Sequence, residues 1–190
     1  MIAPKQQNPF TIAEYLAGEE LGVVKHQYLG GIVHAMAGAT HQHNAIAVNG
    51  LVSLGAQLRG KSWRPFNSDT KVRIEYPDHT RFYYPDALVV RHPNPSSDHF
   101  QDQPAAIVEI LSDSTRRTDL GEKHGAYLTI PSLEVLMFVE PESAYVMLYR
   151  RKPEGGFAVE ACSGLDGVIP LPEIDARLPL AELYARVQFS

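Results

Sequence analysis

The chain has 190 residues, which suits a single domain, residues 1–190, with its own hydrophobic core. Its apolar fraction of 44% and charged fraction of 21% are typical of a soluble protein, and its formal charge of −5 excludes a globally basic nucleic-acid-binding protein. Any contact with nucleic acid would have to come from a local basic patch. The sequence has one cysteine, no apolar signal core and no run of about 20 apolar residues. We therefore expect a cytoplasmic protein that does not associate with membranes.

The first third of the chain predicts two helices around a hairpin. Residues 1–9 are polar and hold two prolines, so we expect them to be poorly ordered. Thr11 and Glu14 form a capping box for a short helix that ends near Gly18. Within residues 25–37, the pair Gly30-Gly31 predicts a hairpin turn.

Residues 41–59 carry apolar side chains at helical spacing and predict the longest helix. Thr40 is its expected N-cap, and Gly60 stands where a helix-ending glycine is common. We expect a broad apolar face that includes Val48 and Val52.

The rest of the chain predicts strands and two further helices. Apolar and charged residues alternate over residues 70–76, which indicates a strand in a sheet with one solvent-exposed face. The continuous apolar run within 81–91 instead indicates a strand covered on both faces. Leu180, Leu183 and Tyr184 are expected to face inwards. The remaining predictions are a strand at 63–66, a loop at 92–104, a strand at 105–111, a helix from 114–118 to about 131, an antiparallel pair at 133–139 and 145–149, a strand at 157–161, turns over 165–178 and a docking helix at 179–187. This order indicates a mixed α/β fold.

Two carboxylates stand out against this background. Glu109 interrupts an apolar strand, and ionised carboxylates are rarely buried without a partner. Asp86 opens the preceding apolar strand, so two adjacent strands would bring both acids to the same end of a sheet. The alternatives are that Glu109 faces water on an edge strand and that Asp86 is an ordinary turn residue.

The helix after Glu109 adds further charged and polar groups. Asp119, Lys123 and Tyr127 are spaced by four residues and therefore share one helical face. They would form a surface ion pair, or they would face the two carboxylates and stabilise charge on a scissile phosphate. Arg116 and Arg117 would contact a flanking nucleic-acid backbone, or they are solvated surface charges.

Two carboxylates suit Mg²⁺, which prefers oxygen ligands and keeps several waters. Zinc is disfavoured, because His41 and His43 alone do not make a zinc motif. The sequence also lacks a Gly-rich phosphate loop and the elbow motif of serine hydrolases.

The chain resembles the Uma2 family of endonucleases, which belongs to the PD-(D/E)XK nuclease superfamily. The likeness rests on residues 28–39, His43, Tyr84-Pro85-Asp86, residues 108–112, Thr115, Asp119, Lys123 and Tyr127. It implies a restriction-endonuclease-like core, in which a central mixed β-sheet is flanked by helices, with an N-terminal hairpin and further antiparallel strands. It also implies a metal ion bound by Asp86, Glu109 and the backbone carbonyl of Ile110.

Three positions depart from the family pattern. Leu111 stands where the superfamily motif has lysine, and Lys123 looks like its replacement. Gln27 stands where the family often has glutamate, and a neutral amide is a weaker metal ligand than a carboxylate. Gly30 stands where the family often has aspartate.

The leading hypothesis is a DNA endonuclease that uses Mg²⁺, or Mn²⁺, and works as a homodimer or higher homo-oligomer. Asp86, Glu109 and Lys123 would be catalytic, supported by Asp119, Tyr127, His43 and Gln27. The alternative is a catalytically inactive nuclease scaffold that binds a partner or nucleic acid. A third reading, a hydrolase of small phosphodiesters, would differ from a DNA enzyme by lacking a basic groove beside Glu109.

Overall fold

The computed structural model describes residues 9–189 and consists of two mixed β-sheets flanked by helices. Its longer helices are α1 (Ile12–Leu21) and α2 (His41–Leu58). A composite helix follows the longest central strand: α3 (Arg116–Thr118), a π-helical turn (Asp119–Lys123) and α4 (His124–Tyr127). Near the C-terminus lie a 3₁₀ turn (Pro172–Ile174) and α5 (Leu180–Leu183).

The strands are β1 (His26–Leu29), β2 (Ile32–Ala35), β3 (Arg64–Asn67), β4 (Lys71–Glu75), β5 (Thr80–Tyr83), β6 (Ala87–Val90), β7 (Phe100–Gln101), β8 (Pro104–Ile110), β9 (Val135–Val139), β10 (Tyr145–Arg151), β11 (Phe157–Ser163), β12 (Val168–Leu171) and β13 (Ala176–Pro179). One sheet has the order β2-β1-β5-β4-β7 and the other has the order β11-β10-β9-β8-β6-β3. Only β4 with β7 and β8 with β9 pair in parallel, and β12 and β13 form a separate ribbon.

The central strands of the six-stranded sheet, β6, β8 and β9, are buried on both faces, which explains the continuous apolar runs of β6 and β8. Side chains alternate between the faces, so Val89 packs with α2 and α5 while Leu88 packs with the composite helix. Ile107 on β8 and Leu111 directly after β8 lie on the face covered by the composite helix, and Glu109 falls between them in this alternation.

The sequence correctly predicted the mixed α/β class and the N-terminal hairpin. The capping box of α1 is present, and Thr40 caps α2. The antiparallel pairing of β9 with β10 and the burial of Leu180, Leu183 and Tyr184 are also confirmed. Of the N-terminal segment expected to be poorly ordered, residues 1–8 lie outside the described residues.

Four predictions about elements were wrong. The strand predicted over residues 81–91 is two strands in different sheets, β5 and β6, because the chain turns at Tyr84-Pro85-Asp86. The loop predicted over 92–104 contains β7. Residues 165–178 form β12 and most of β13 rather than turns alone, and the docking helix predicted over 179–187 is a single turn, α5.

Two predictions about helices need correction as well. The helix after β8 was expected to continue to about Pro131, but it ends at Tyr127 and contains a π-helical turn. Val48 and Val52 were expected on the buried face of α2, yet they are 58% and 66% exposed, because the helix packs only along the side of Ile46 and Leu54. None of the helices among residues 9–189 is both long and apolar enough to cross a bilayer. The cytoplasmic location stays a prediction.

Candidate metal-binding pocket

Sheet pairing brings the two candidate carboxylates together. Strands β6 and β8 are antiparallel with Ala87 opposite Val108, so Asp86, just before β6, comes beside Glu109 at the same end of the sheet. The Oδ2 atom of Asp86 accepts a hydrogen bond of 2.7 Å from the backbone N–H of Ile110. This bond fixes the Asp86 carboxylate against the strand that carries Glu109.

The composite helix supplies the groups that satisfy Glu109. The Oε1 atom of Glu109 accepts hydrogen bonds from Lys123 Nζ at 3.2 Å and from the Tyr127 hydroxyl at 2.7 Å. Lys123 Nζ also lies 2.9 Å from Asp119 Oδ1. Glu109, Asp119 and Lys123 are each at most 4% exposed. The result is a buried network in which one ammonium group is shared by two carboxylates.

The π-helical turn Asp119–Lys123 lies where this network is formed. A π turn widens the helix locally, and such turns occur frequently at functional sites. Asp119 and Lys123 are the first and last residues of the π turn, and both are buried. The spacing of four residues noted in the sequence therefore places both groups against Glu109, with Tyr127 following on α4.

Burial and neighbouring charges set the protonation of these groups. Burial is the main reason that the pKa of Glu109 rises to about 7, and the charges of Asp86 and Asp119 add to it against the opposing effect of Lys123. Burial alone would lower the pKa of Lys123, but the carboxylates of Glu109 and Asp119 outweigh it and raise that pKa above its ordinary value. Lys123 is therefore a permanent cation.

His43, in the first turn of α2, contacts the same group of oxygens. Its Nε2 atom lies 3.2 Å from Asp86 Oδ2. Burial opposes protonation, but Asp86, the charge of Glu109 and the backbone of Ile110 together raise the pKa of His43. Its Nδ1 atom is buried and has no hydrogen-bond partner within residues 9–189.

These groups line a pocket of about 690 Å³ between the two sheets' neighbouring ends, the start of α2 and the composite helix. Among the described residues, no three His, Cys, Asp or Glu side chains form a metal cluster by themselves. The oxygens in this pocket that could hold a cation are those of the Asp86 and Glu109 carboxylates and of the Ile110 carbonyl. Such hard oxygen ligands fit Mg²⁺, which takes one or two carboxylates and completes its shell with water.

The sequence of the chain matches the Uma2 family, described as "Putative restriction endonuclease", over residues 12–181. The chain belongs to the Uma2 family. The uncharacterized protein slr1290 of Synechocystis sp. is 31% identical over 84% of this chain and 85% of its own length. A second uncharacterized Synechocystis protein, sll1609, is 30% identical over 68% of this chain and 74% of its own.

A solved structure from Anabaena variabilis, described as a putative nuclease belonging to DUF820, has the same fold. It superposes with a TM-score of 0.73 at 19% identity and covers 95% of this chain and 100% of its own. The likeness confirms the nuclease-like fold that the sequence predicted for this Uma2 protein.

The remaining candidate residues of this Uma2 protein are less central. Gln27 lies on β1 opposite His34 and does not line the pocket. Arg116 lines the pocket, but both of its terminal nitrogens donate to Glu140, at 2.8 and 2.6 Å. Arg117 and His41 are exposed and do not line the pocket. Tyr127 lies behind Glu109 rather than at the pocket surface.

Sequence reasoning did not assign the opposite wall of the pocket to the site. Tyr84 and Lys25 line this wall, and the Tyr84 hydroxyl donates to Glu19 at 2.5 Å. The ammonium groups of Lys25 and Lys71 lie 5.5 and 5.0 Å from the centre of the Tyr84 ring. The position of Tyr84 directly before Pro85-Asp86 was the available signal, since a residue two positions from Asp86 must lie near it.

Proposed function

We propose that this Uma2 protein is a metal-dependent endonuclease that hydrolyses DNA phosphodiester bonds, with Mg²⁺ or Mn²⁺ as its cofactor. The observation that carries the proposal is the convergence of Asp86, Glu109 and Lys123 on one pocket. The family description and the name of the solved neighbour, both of which refer to nucleases, support the same reaction class.

The cation would be held by Asp86, Glu109 and the backbone carbonyl of Ile110. When bound, such an ion supplies Lewis-acid chemistry, because it activates water and neutralises charge on the phosphate. The protein's own contribution is to fix the positions of the two carboxylates that would bind the ion. Asp86 is fixed by the Ile110 N–H, and the two bonds to Glu109 both end on Oε1, which leaves Oε2 as the oxygen for the ion.

Lys123 is the group that we assign to the phosphate. Because its pKa is raised, it keeps its proton and stabilises negative charge rather than acting as a general base. Asp119 holds the ammonium at 2.9 Å and positions it. Tyr127 positions Glu109 through its hydroxyl, and His43 contacts Asp86 and supports that carboxylate. A homodimer would let two such centres cut two strands.

Plasmid nicking tests the proposal directly. We expect the purified protein to convert supercoiled plasmid to the open-circular form with Mg²⁺ and not with EDTA. Asp86→Asn should lower the rate by about 100-fold or more, since it removes one of two carboxylates from the ion. Asp166→Asn, an exposed aspartate after β11, is the matched control and should nick like the wild type. Nicking that persists in EDTA or in Asp86→Asn would refute the assignment.

The pocket also carries an observation that favours other readings. Among the described residues, each of the three lysine and arginine side chains that line it is ion-paired: Lys25 with Asp69, Arg116 with Glu140 and Lys123 with Glu109 and Asp119. A groove without spare positive charge suits an inactive scaffold or a hydrolase of small phosphodiesters. Titration calorimetry with Mn²⁺ separates these, because an inert scaffold would not bind the ion through Asp86.

A further inference from the structure

Exposed cations gather around the C-terminal end of α2, away from the pocket. We call them the α2-end basic surface, and its members are Arg59, Lys61, Arg64, Arg91 and Arg177, all exposed. Arg59 is the C-cap of α2, and Lys61 and Arg64 follow it directly in the chain. Arg64 pairs with Val90, the residue before Arg91, and the Arg177 N–H donates to Gln57 on the last turns of α2. Chain connections and strand pairing thus bring the five together.

Most of these charges have no counter-charge. Lys61 forms an ion pair of 2.7 Å with Asp175. Within residues 9–189, the guanidinium groups of Arg59, Arg64, Arg91 and Arg177 form no ion pair with a carboxylate. The Arg91 guanidinium instead lies over the ring of Trp63, 5.5 Å from its centre.

Exposed arginines left without carboxylates are well placed for anionic oxygens of another molecule. The planar guanidinium group binds phosphate through paired N–H donors.

Strand β6 links this surface to the pocket. Asp86 precedes the strand and Arg91 follows it, so the two residues lie at opposite ends of β6. At about 3.3 Å per residue, five residues separate them by about 16 Å. Stacked base pairs rise by about 3.4 Å, so this distance corresponds to about five base pairs. β6 itself is buried, so a duplex that contacts both ends of the strand would follow the protein surface around it.

We propose that the α2-end basic surface binds the sugar-phosphate backbone of the nucleic acid whose cleavage is assigned to the pocket. This inference rests on the proposed function for its ligand. It also resolves the absence of spare positive charge in the pocket, since holding the substrate and cutting it are then done by different regions. Phosphate contacts of this kind position a duplex without reading its sequence.

The salt dependence of binding measures such contacts. Each arginine that neutralises a phosphate contributes about 0.9 to the slope of log affinity against log salt concentration. We would measure binding of a fluorescein-labelled 20-base-pair duplex by anisotropy in EDTA, so that the strands are not cut. Arg59→Gln with Arg91→Gln should lower the magnitude of the slope by about 2 and weaken binding at least about tenfold.

Two further variants make the test specific. Lys152→Gln with Arg186→Gln removes the same net charge from exposed or half-exposed positions elsewhere and should leave the slope unchanged. Arg59→Lys with Arg91→Lys keeps both charges and should retain most of the slope. An unchanged slope in the glutamine pair, or an equal fall in the control pair, overturns the proposal. Tighter binding to phosphatidylglycerol vesicles than to the duplex overturns it as well.

The two proposals fail in different ways. If the wild type nicks plasmid with Mg²⁺ but the glutamine pair binds DNA with an unchanged slope, the basic surface is refuted and the nuclease stands. If the glutamine pair loses slope but nothing is nicked, the surface binds nucleic acid and the nuclease assignment is refuted.

Discussion

The pocket and the α2-end basic surface carry charge in opposite ways. In the pocket, Glu109, Asp119 and Lys123 are at most 4% exposed and bind one another. On the basic surface, Arg59 and Arg91 are exposed and have no carboxylate partner among residues 9–189. Buried charges must be paired for the chain to fold, whereas exposed charges are free to bind another molecule. In our proposals, the same kinds of side chain therefore form a fixed, paired network in one region and bind another molecule in the other.

The largest effect is expected when the pocket loses the Lys123 ammonium group, which Glu109 and Asp119 share. Lys123→Met leaves Glu109 and Asp119 buried without their ammonium group. Breaking a buried ion pair from one side destabilises by about 3–5 kcal/mol. We expect a loss of that size in the free energy of unfolding, measured by urea denaturation.

Arg59→Met is the counterpart of Lys123→Met on the basic surface. Its side chain is exposed and unpaired within the described residues, so its loss should change stability by less than about 0.5 kcal/mol. If Lys123→Met and Arg59→Met lost equal amounts of unfolding free energy, stability would not depend on the paired charges of the pocket more than on the unpaired charges of the basic surface.

A smaller effect is expected from the hydroxyl of Tyr127. Tyr127→Phe removes the 2.7 Å hydrogen bond to Glu109 Oε1 and leaves that buried oxygen with Lys123 alone. Hydrogen bonds to charged groups contribute about 1.5–3 kcal/mol, so we expect a loss of unfolding free energy in this range. Tyr145→Phe, on a partly exposed ring at the start of β10, is the control and should be nearly neutral. A neutral Tyr127→Phe would show that Lys123 alone satisfies Glu109.

The pairing of Asp86 with Glu109 was predictable from the sequence because it depends on local patterns. Two adjacent apolar strands, each with one acid near its end, have few ways to pair, and the antiparallel register of β6 and β8 brings the acids together. The hairpin was equally predictable. Gly30 and Gly31 have φ values of 58° and 101°, which glycine adopts without strain, so the glycine pair specifies the turn.

Other features depend on tertiary contacts that no local pattern records. Val48 and Val52 continue the apolar pattern of α2, yet exposure is decided by what packs against the helix. The β12–β13 ribbon was missed because Pro170 and its neighbours resemble a turn, although pairing with Arg177 makes them a strand. The π turn at Asp119–Lys123 cannot be told from an ordinary helix by spacing alone. The basic surface was missed because Arg59 and Arg91 are far apart in the chain, and their segments are brought to one region by the pairing of Arg64 with Val90.

The smallest effect concerns the two arginines that the sequence assigned to nucleic acid at the start of the composite helix. Both nitrogens of Arg116 are used by Glu140, and such a partly exposed pair contributes about 0–1 kcal/mol. We therefore expect Arg116→Gln to change stability by less than about 1 kcal/mol and to leave the salt slope of DNA binding unchanged.

Arg117 is exposed, so Arg117→Gln should lower the slope by at most about 1 if a phosphate reaches it. Duplex anisotropy in EDTA compares both with the Arg59 and Arg91 pair. A larger loss of slope from Arg116 than from that pair would place the main DNA contact at the pocket itself, because Arg116 would then have to exchange Glu140 for phosphate when the duplex binds.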